Sequence, residues 1–156
     1  MLRRKMLWWC CGVMGVLGVA IQLLPYGRVH AVSPVLREPV WDQPATRALA
    51  ARACFDCHSN QTVWPWYAQV APVSWLVQLD VDEGRGHVNF SEWARLQRGL
   101  RGVRNDVMGG KMPPWYYLPL HPQAKLSPVE KEALLQGLAA TVATDPPPQP
   151  PPTPRR

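Results

Sequence analysis

The chain has 156 residues, which bounds it to one domain with appendages. Eight tryptophans and eighteen prolines exceed ordinary usage, and the formal charge of +6 invites a nucleic-acid partner. Charge placement excludes that partner: Arg3, Arg4 and Lys5 precede a hydrophobic run, Arg155 and Arg156 end the chain, and between Ser33 and Ala143 eleven Lys and Arg meet ten Asp and Glu.

Met6 to Leu24 is nineteen residues without a charge and with one polar side chain, Gln22. As a helix it is roughly 28 Å long, about one hydrocarbon core. The basic cluster before it predicts a cytoplasmic N-terminus with the rest of the chain outside. In a bacterium that is a single pass of the inner membrane with the domain in the periplasm. Val29-His30-Ala31 resembles a signal-peptide cleavage site, but the apolar run is longer than a signal peptide's core, which favours a retained anchor over residues 1–25. Cys10 and Cys11 read as small apolar anchor residues.

Residues 26–43, with Pro34 and Pro39, read as an extended linker. A first helix is predicted from Pro44, capped by Asp42, and its Ala-rich interior runs to Ala53. It delivers Cys54-Phe55-Asp56-Cys57-His58, the C-x-x-C-H spacing of covalent haem c attachment. Two intervening residues let the thiols of Cys54 and Cys57 span the porphyrin's two vinyl groups, and His58 is then held beneath the iron as proximal ligand. A zinc site would need further N/S ligands, and the only other cysteines lie in the anchor. A thiol–disulfide motif would start a helix rather than end one, and a structural disulfide across so short a loop would be strained.

After the motif, Trp64-Pro65-Trp66-Tyr67 reads as a packed aromatic loop, with Trp64 and Trp66 candidates to wall the haem. A second helix is predicted from Pro72 to about Glu83, stopped by Gly84-Arg85-Gly86. Arg85 is placed to pair with the neighbouring carboxylates or a haem propionate. A third helix is predicted from the Asn89 cap and the Glu92 capping-box position, with Trp93, Leu96, Leu100, Val103 and Val107 at helical steps. Its arginines read as solvated surface.

Met112, between Gly109-Gly110 and Pro113-Pro114, must lie on a loop. It is the candidate sixth ligand, because a neutral thioether favours the ferrous state and raises the potential, as an electron carrier requires. His87 and His121 are its rivals, and Met108 reads as core. Ser127-Pro128-Val129-Glu130 opens the last helix with cap, first-turn proline and capping-box glutamate in order. From Asp145 the chain is a proline-rich tail, residues 144–156, read as disordered or a tether.

Residues 54–67 together with Ala71-Pro72-Val73-Ser74-Trp75, Glu83-Gly84-Arg85, Asn89-Phe90-Ser91-Glu92-Trp93 and Met112-Pro113-Pro114 resemble the haem-binding domain family of small, membrane-anchored, cytochrome-c-like bacterial proteins. The resemblance runs from about Val35 to Ala143 and includes the anchor. It implies one covalent haem c on Cys54 and Cys57, His58 as proximal ligand and an all-helical fold. The expectation is thus an all-α, cytochrome-c-like domain over residues 44–143 behind a transmembrane helix, passing electrons to redox partner proteins. The alternatives are a peroxidase or gas sensor with an open sixth site, and a haem subunit of a larger respiratory complex.

Overall fold

The structure is a computed structural model that describes residues 2–30 and 33–148. Ala31 of the candidate cleavage site and the tail from residue 149 lie outside the described residues. Among the described residues six α-helices carry the fold: α1 (Leu2–Ala20), α2 (Pro44–Ala53), α3 (Phe55–His58), α4 (Val73–His87), α5 (Val103–Met108) and α6 (Pro128–Thr144). Among the described residues there is no strand, and one isolated bridge joins Arg37 to Glu92. The all-α expectation holds.

The chain divides into two compact units. One comprises α1, the turns that follow it, and Trp64–Asp80. With the 3-10 turn Ile21–Leu23, the first helix gives an apolar span Arg3–Leu23 of 21 residues, long enough to cross a membrane. Below it the chain doubles back on Trp64–Asp80. Gln22 donates through Nε2 to the Ala71 carbonyl (2.9 Å) and accepts from the Ala71 amide (3.1 Å). Gly27 has a positive φ of 74°, and a Cβ there would lie 2.4 Å from the Ser74 carbonyl oxygen. Only glycine allows both the turn and that approach.

The second unit holds the hydrophobic core, in which Ala50, Phe55, Val88, Phe90, Trp93, Leu126, Leu134 and Leu138 pack together. Phe55 lies 5.5 Å from Phe90, and Phe90 6.0 Å from Trp93, with rings near parallel. In α6, Leu134, Leu138 and Thr141 recur at helical spacing on the buried side. Its capping box forms as expected, the Ser127 hydroxyl accepting from the Glu130 amide and the Glu130 carboxylate from the Ser127 amide. Helices α2 and α6 meet at Gly137, where a Cβ would lie 2.1 Å from the Thr46 hydroxyl oxygen.

Several local expectations are corrected. Asp42 does not cap α2. Its amide donates to the Thr141 hydroxyl, which donates back to its carboxylate, and Gln43 takes the cap position. Helix α4 does not stop at Gly84 but continues to His87. The predicted third helix from Asn89 is a run of turns, and only Val103–Met108 is helical. The backbone there spends its hydrogen bonds elsewhere: the Trp93 amide donates to the Arg37 carbonyl and the Gly99 amide to the His87 carbonyl. The side chains of Asn89 and Gln97 take further amides and carbonyls of the segment. Trp93 and Val107 are nonetheless buried, so the apolar period reports burial without the helix. Met108 is 52% exposed rather than core, since α5 ends on it and turns at Gly109.

Residues expected as linker and tail are fastened at their inner ends. The Leu36 and Arg37 amides donate to the Ser91 carbonyl. The Asp145 carboxylate pairs with Arg37 (2.5 Å) and accepts from the Val40 amide, and its carbonyl accepts from Trp93 Nε1.

Candidate functional site

Helix α2 runs straight into the C-x-x-C-H segment. The Cys54 amide closes α2 on the Ala50 carbonyl, and the Cys54 carbonyl accepts from the Cys57 (3.2 Å) and His58 (2.8 Å) amides. Cys54 therefore ends one helix and starts the single turn α3. Three- and four-residue spacing then puts both cysteines and the histidine on one side of that turn. The next helix presses on it from behind: a Cβ at Gly84 would lie 2.4 Å from the Cys57 carbonyl oxygen and 3.1 Å from the Cys57 Cβ. What reads in sequence as a helix stop is a backbone-to-backbone contact.

His58 is held at both ends. Its Nδ1 lies 3.0 Å from the Val88 carbonyl, which can only accept, so Nδ1 carries the proton and Nε2 keeps its lone pair. Its own carbonyl accepts from the Phe90 amide at 2.8 Å. The segment that supplies Val88 and Phe90 is fixed in turn by buried amides and hydroxyls. Asn89 Nδ2 donates to Asn60 Oδ1, the Asn89 side chain accepts from the Ser91 amide, and the Ser91 hydroxyl accepts from the Asn60 amide. Gln97 Oε1 accepts from the Asn89 amide. A neutral imidazole with one nitrogen bound to a carbonyl and the other presented is the form that ligates a metal.

The electrostatics agree. Burial pulls the His58 imidazole below its ordinary value, against the opposing Val88 and Gly84 carbonyls. Burial pushes the Cys54 thiol up to about 12. A thiol–disulfide catalyst needs the reverse, a thiolate stabilised near neutrality. Helix direction does not exclude such a catalyst, because Cys54 does begin α3; the raised thiol pKa does. Among the described residues no three His, Cys, Asp or Glu converge to hold a bare metal ion, which leaves the zinc alternative without a ligand set. Two thiols and a poised imidazole on one turn, with no disulfide joining the thiols, fit a haem.

The loop carrying Met112 follows α5. The Lys111 and Met112 amides both donate to the Asp106 carbonyl, and Met112 is 40% exposed. Five residues on, the Tyr117 hydroxyl donates to the Asp56 carboxylate at 2.6 Å. Asp56, inside the C-x-x-C-H run, accepts from the Val63 amide with its other oxygen. One carboxylate thus ties the Met112 loop and the chain after His58 to the C-x-x-C-H turn. His121 stacks on Tyr117 with ring centroids 3.8 Å apart and donates through Nδ1 to the Tyr117 carbonyl. His87 is exposed at the end of α4. Arg85, expected on a carboxylate or a propionate, donates through Nε to the Ser59 carbonyl and through Nη2 to the Thr62 hydroxyl. Burial lowers its pKa while Asp82 and Glu92 hold it up.

Trp64 and Trp66 belong to the unit built on the first helix. Trp64 stacks on His30 at 3.9 Å, nearly parallel, and Trp66, edge-on to Tyr67, is 80% exposed. Sequence reasoning misses Gly84, Asn60, Asn89, Ser91, Gln97 and Tyr117 as supports of the motif. The signal at Asn89 and Ser91 is visible in the sequence, but there it has the form of a helix cap.

Among models of known protein families, the one described as a haem-binding domain matches residues 16–140. No curated protein and no solved structure matches the chain.

Proposed function

From the premise that this chain belongs to the haem-binding domain family, we propose that it is a membrane-anchored, single-haem c-type cytochrome domain that transfers electrons on the periplasmic side of a bacterial inner membrane. The observation that carries this reading is the His58 Nδ1–Val88 hydrogen bond beside Cys54 and Cys57. It presents Nε2 from the same turn that bears the two thiols. A haem bound there supplies the one-electron iron couple.

Cys54 and Cys57 are the covalent attachment points and His58 the proximal ligand. Met112 is the proposed distal ligand, on a loop whose neighbour Tyr117 is fastened to the attachment turn. The Val88 carbonyl orients the imidazole and raises its basicity, and the buried Asn60–Asn89–Ser91 group keeps that carbonyl in place.

Absorption spectra of the purified full-length protein test the proposal. Haem is expected to stay on the polypeptide after denaturation and to be lost from it when Cys54 and Cys57 are both replaced by Ala. The ferric protein should show the weak charge-transfer band of Met–His ligation, absent in Met112→Ala and kept in Met108→Ala. A high-spin ferric spectrum, with ready CO binding once the unaltered protein is reduced, would instead assign an open site and a peroxidase or gas-sensing role.

A further inference from the structure

The sixteen residues Trp64–Leu79 contain no Asp, Glu, Lys, Arg or His. Apart from Gln69, their exposed side chains are apolar: Trp66, Val70, Pro72, Val73, Leu76 and Leu79. On α4, Val73, Leu76 and Leu79 follow at three-residue steps and share one face. Scattered exposed apolar residues are ordinary on a soluble surface. Location separates this patch from that background.

The span Arg3–Leu23, at 21 residues, is about 32 Å of helix, roughly the thickness of the hydrocarbon core. With Arg3, Arg4 and Lys5 at one surface, Gln22 stands at the other. Gln22 makes two hydrogen bonds to the Ala71 backbone, so Ala71 lies at the depth of the helix end. Two further ties hold the segment there. Gln69 Nε2 donates to His30 Nδ1, whose ring stacks on Trp64, and Gly27 lies against the Ser74 carbonyl. With α1 read as a membrane span, Trp66, Val70 and Val73, within five residues of Ala71, are carried near the boundary between headgroups and acyl chains, and Leu76 and Leu79 continue their face along α4. Tryptophan is favoured at that boundary, and an uncharged apolar face is stable there.

We propose that Trp64–Leu79 is a second, non-spanning membrane contact that lies in the lipid interface at the C-terminal end of the first helix. Its partner is the bilayer itself, bound through apolar area. The contact is accordingly insensitive to salt and to the fraction of anionic lipid, unlike a basic surface helix. The inference rests on the reading of α1 as a retained anchor.

The test is photo-crosslinking of the full-length, haem-loaded protein in phosphatidylcholine vesicles that contain a diazirine-bearing phosphatidylcholine, with adducts mapped by mass spectrometry. Lipid adducts are expected on peptides from both the anchor and residues 64–79. Leu76→Glu should lower the second set several-fold and leave the first unchanged. Adducts on the anchor alone, or chain-to-chain adducts through residues 64–79 in place of lipid, overturn the proposal, the latter in favour of a second copy. Adducts on neither peptide overturn the anchor reading and the inference with it.

Discussion

Gly84→Ala isolates the contact between α4 and the C-x-x-C-H turn. The added methyl would sit 2.4 Å from the Cys57 carbonyl oxygen and 3.0 Å from its carbon, where good van der Waals contact needs roughly 3.5 Å. About 1 Å of separation must be found, and the obstacle is backbone rather than the end of a flexible side chain. Overpacking costs about 1–3 kcal/mol, and a backbone obstacle puts this site at the upper end. Alanine's helix propensity returns about 1 kcal/mol, leaving a net loss of about 2 kcal/mol. Gly86 lies in the same helix, and a methyl added there would meet nothing within 4 Å. Gly86→Ala should therefore gain up to about 1 kcal/mol from propensity alone. Thermal unfolding followed by circular dichroism should place Gly84→Ala about 10 °C below the parent protein, with less haem retained per chain after denaturation. If the two variants prove equally stable and carry equal haem, α4 does not brace the C-x-x-C-H turn.

Three further outcomes follow from the same geometry. Asn89→Ala removes the partner of the buried Ser91 amide and of Asn60 Oδ1; urea denaturation should show a loss of about 2–3 kcal/mol, and an unchanged midpoint would count against the buried polar group as the fastening of Val88. Tyr117→Phe loses a hydrogen bond to a carboxylate and should cost about 1–2 kcal/mol. If Tyr117 restrains the distal loop, added imidazole should also replace the sixth ligand faster in stopped-flow spectra, and an unaltered rate would separate Tyr117 from the axial site. Glu38 is held below its ordinary value of 4.5 chiefly by its hydrogen bond to Arg47, helped by Trp41 and Gln61. A depressed carboxylate stabilises the fold above its unfolded pKa and loses that contribution as pH falls through the folded one, so Glu38→Gln should flatten the acid limb of the stability profile and leave no slope for this group; a limb as steep as the parent's would place the titration elsewhere.

The parts legible in sequence are those where one local signal has one structural solution. The capping box at Ser127 and Glu130 could only open a helix, and the apolar run Met6–Leu24 could only make a long one. Misreadings arise where one signal has two solutions. Apolar residues at helical steps from Trp93 to Val107 report burial, and a turn-rich segment buries them as well once Asn89 and Gln97 supply the backbone partners a helix would have supplied. A glycine late in a helix can stop it or allow a close neighbour. At Gly84 the neighbour, Cys57, is distant in sequence and invisible in a local window. Arg85 likewise spends its donors on Ser59 and Thr62, a pairing that no charge pattern contains.

The two sides of the proposed axial pair are built differently, and that difference bears on function. His58 sits in a one-turn helix, braced by Gly84 behind it, oriented by Val88 and locked through its carbonyl to Phe90. Moving it would break buried hydrogen bonds and repack the aromatic core that Phe90 shares with Phe55 and Trp93. Met112 sits on a part-exposed loop held by the Asp106 carbonyl and, five residues on, by the Tyr117–Asp56 bond. In the proposed electron carrier, a histidine held this way would keep the imidazole's geometry constant between oxidation states and so lower the reorganisation of electron transfer, and ligand exchange would fall to the looser side. Exchange should therefore track substitutions at Tyr117 and Asp56 and be indifferent to Arg104, whose ion pair with Glu132 lies on the surface joining α5 to α6.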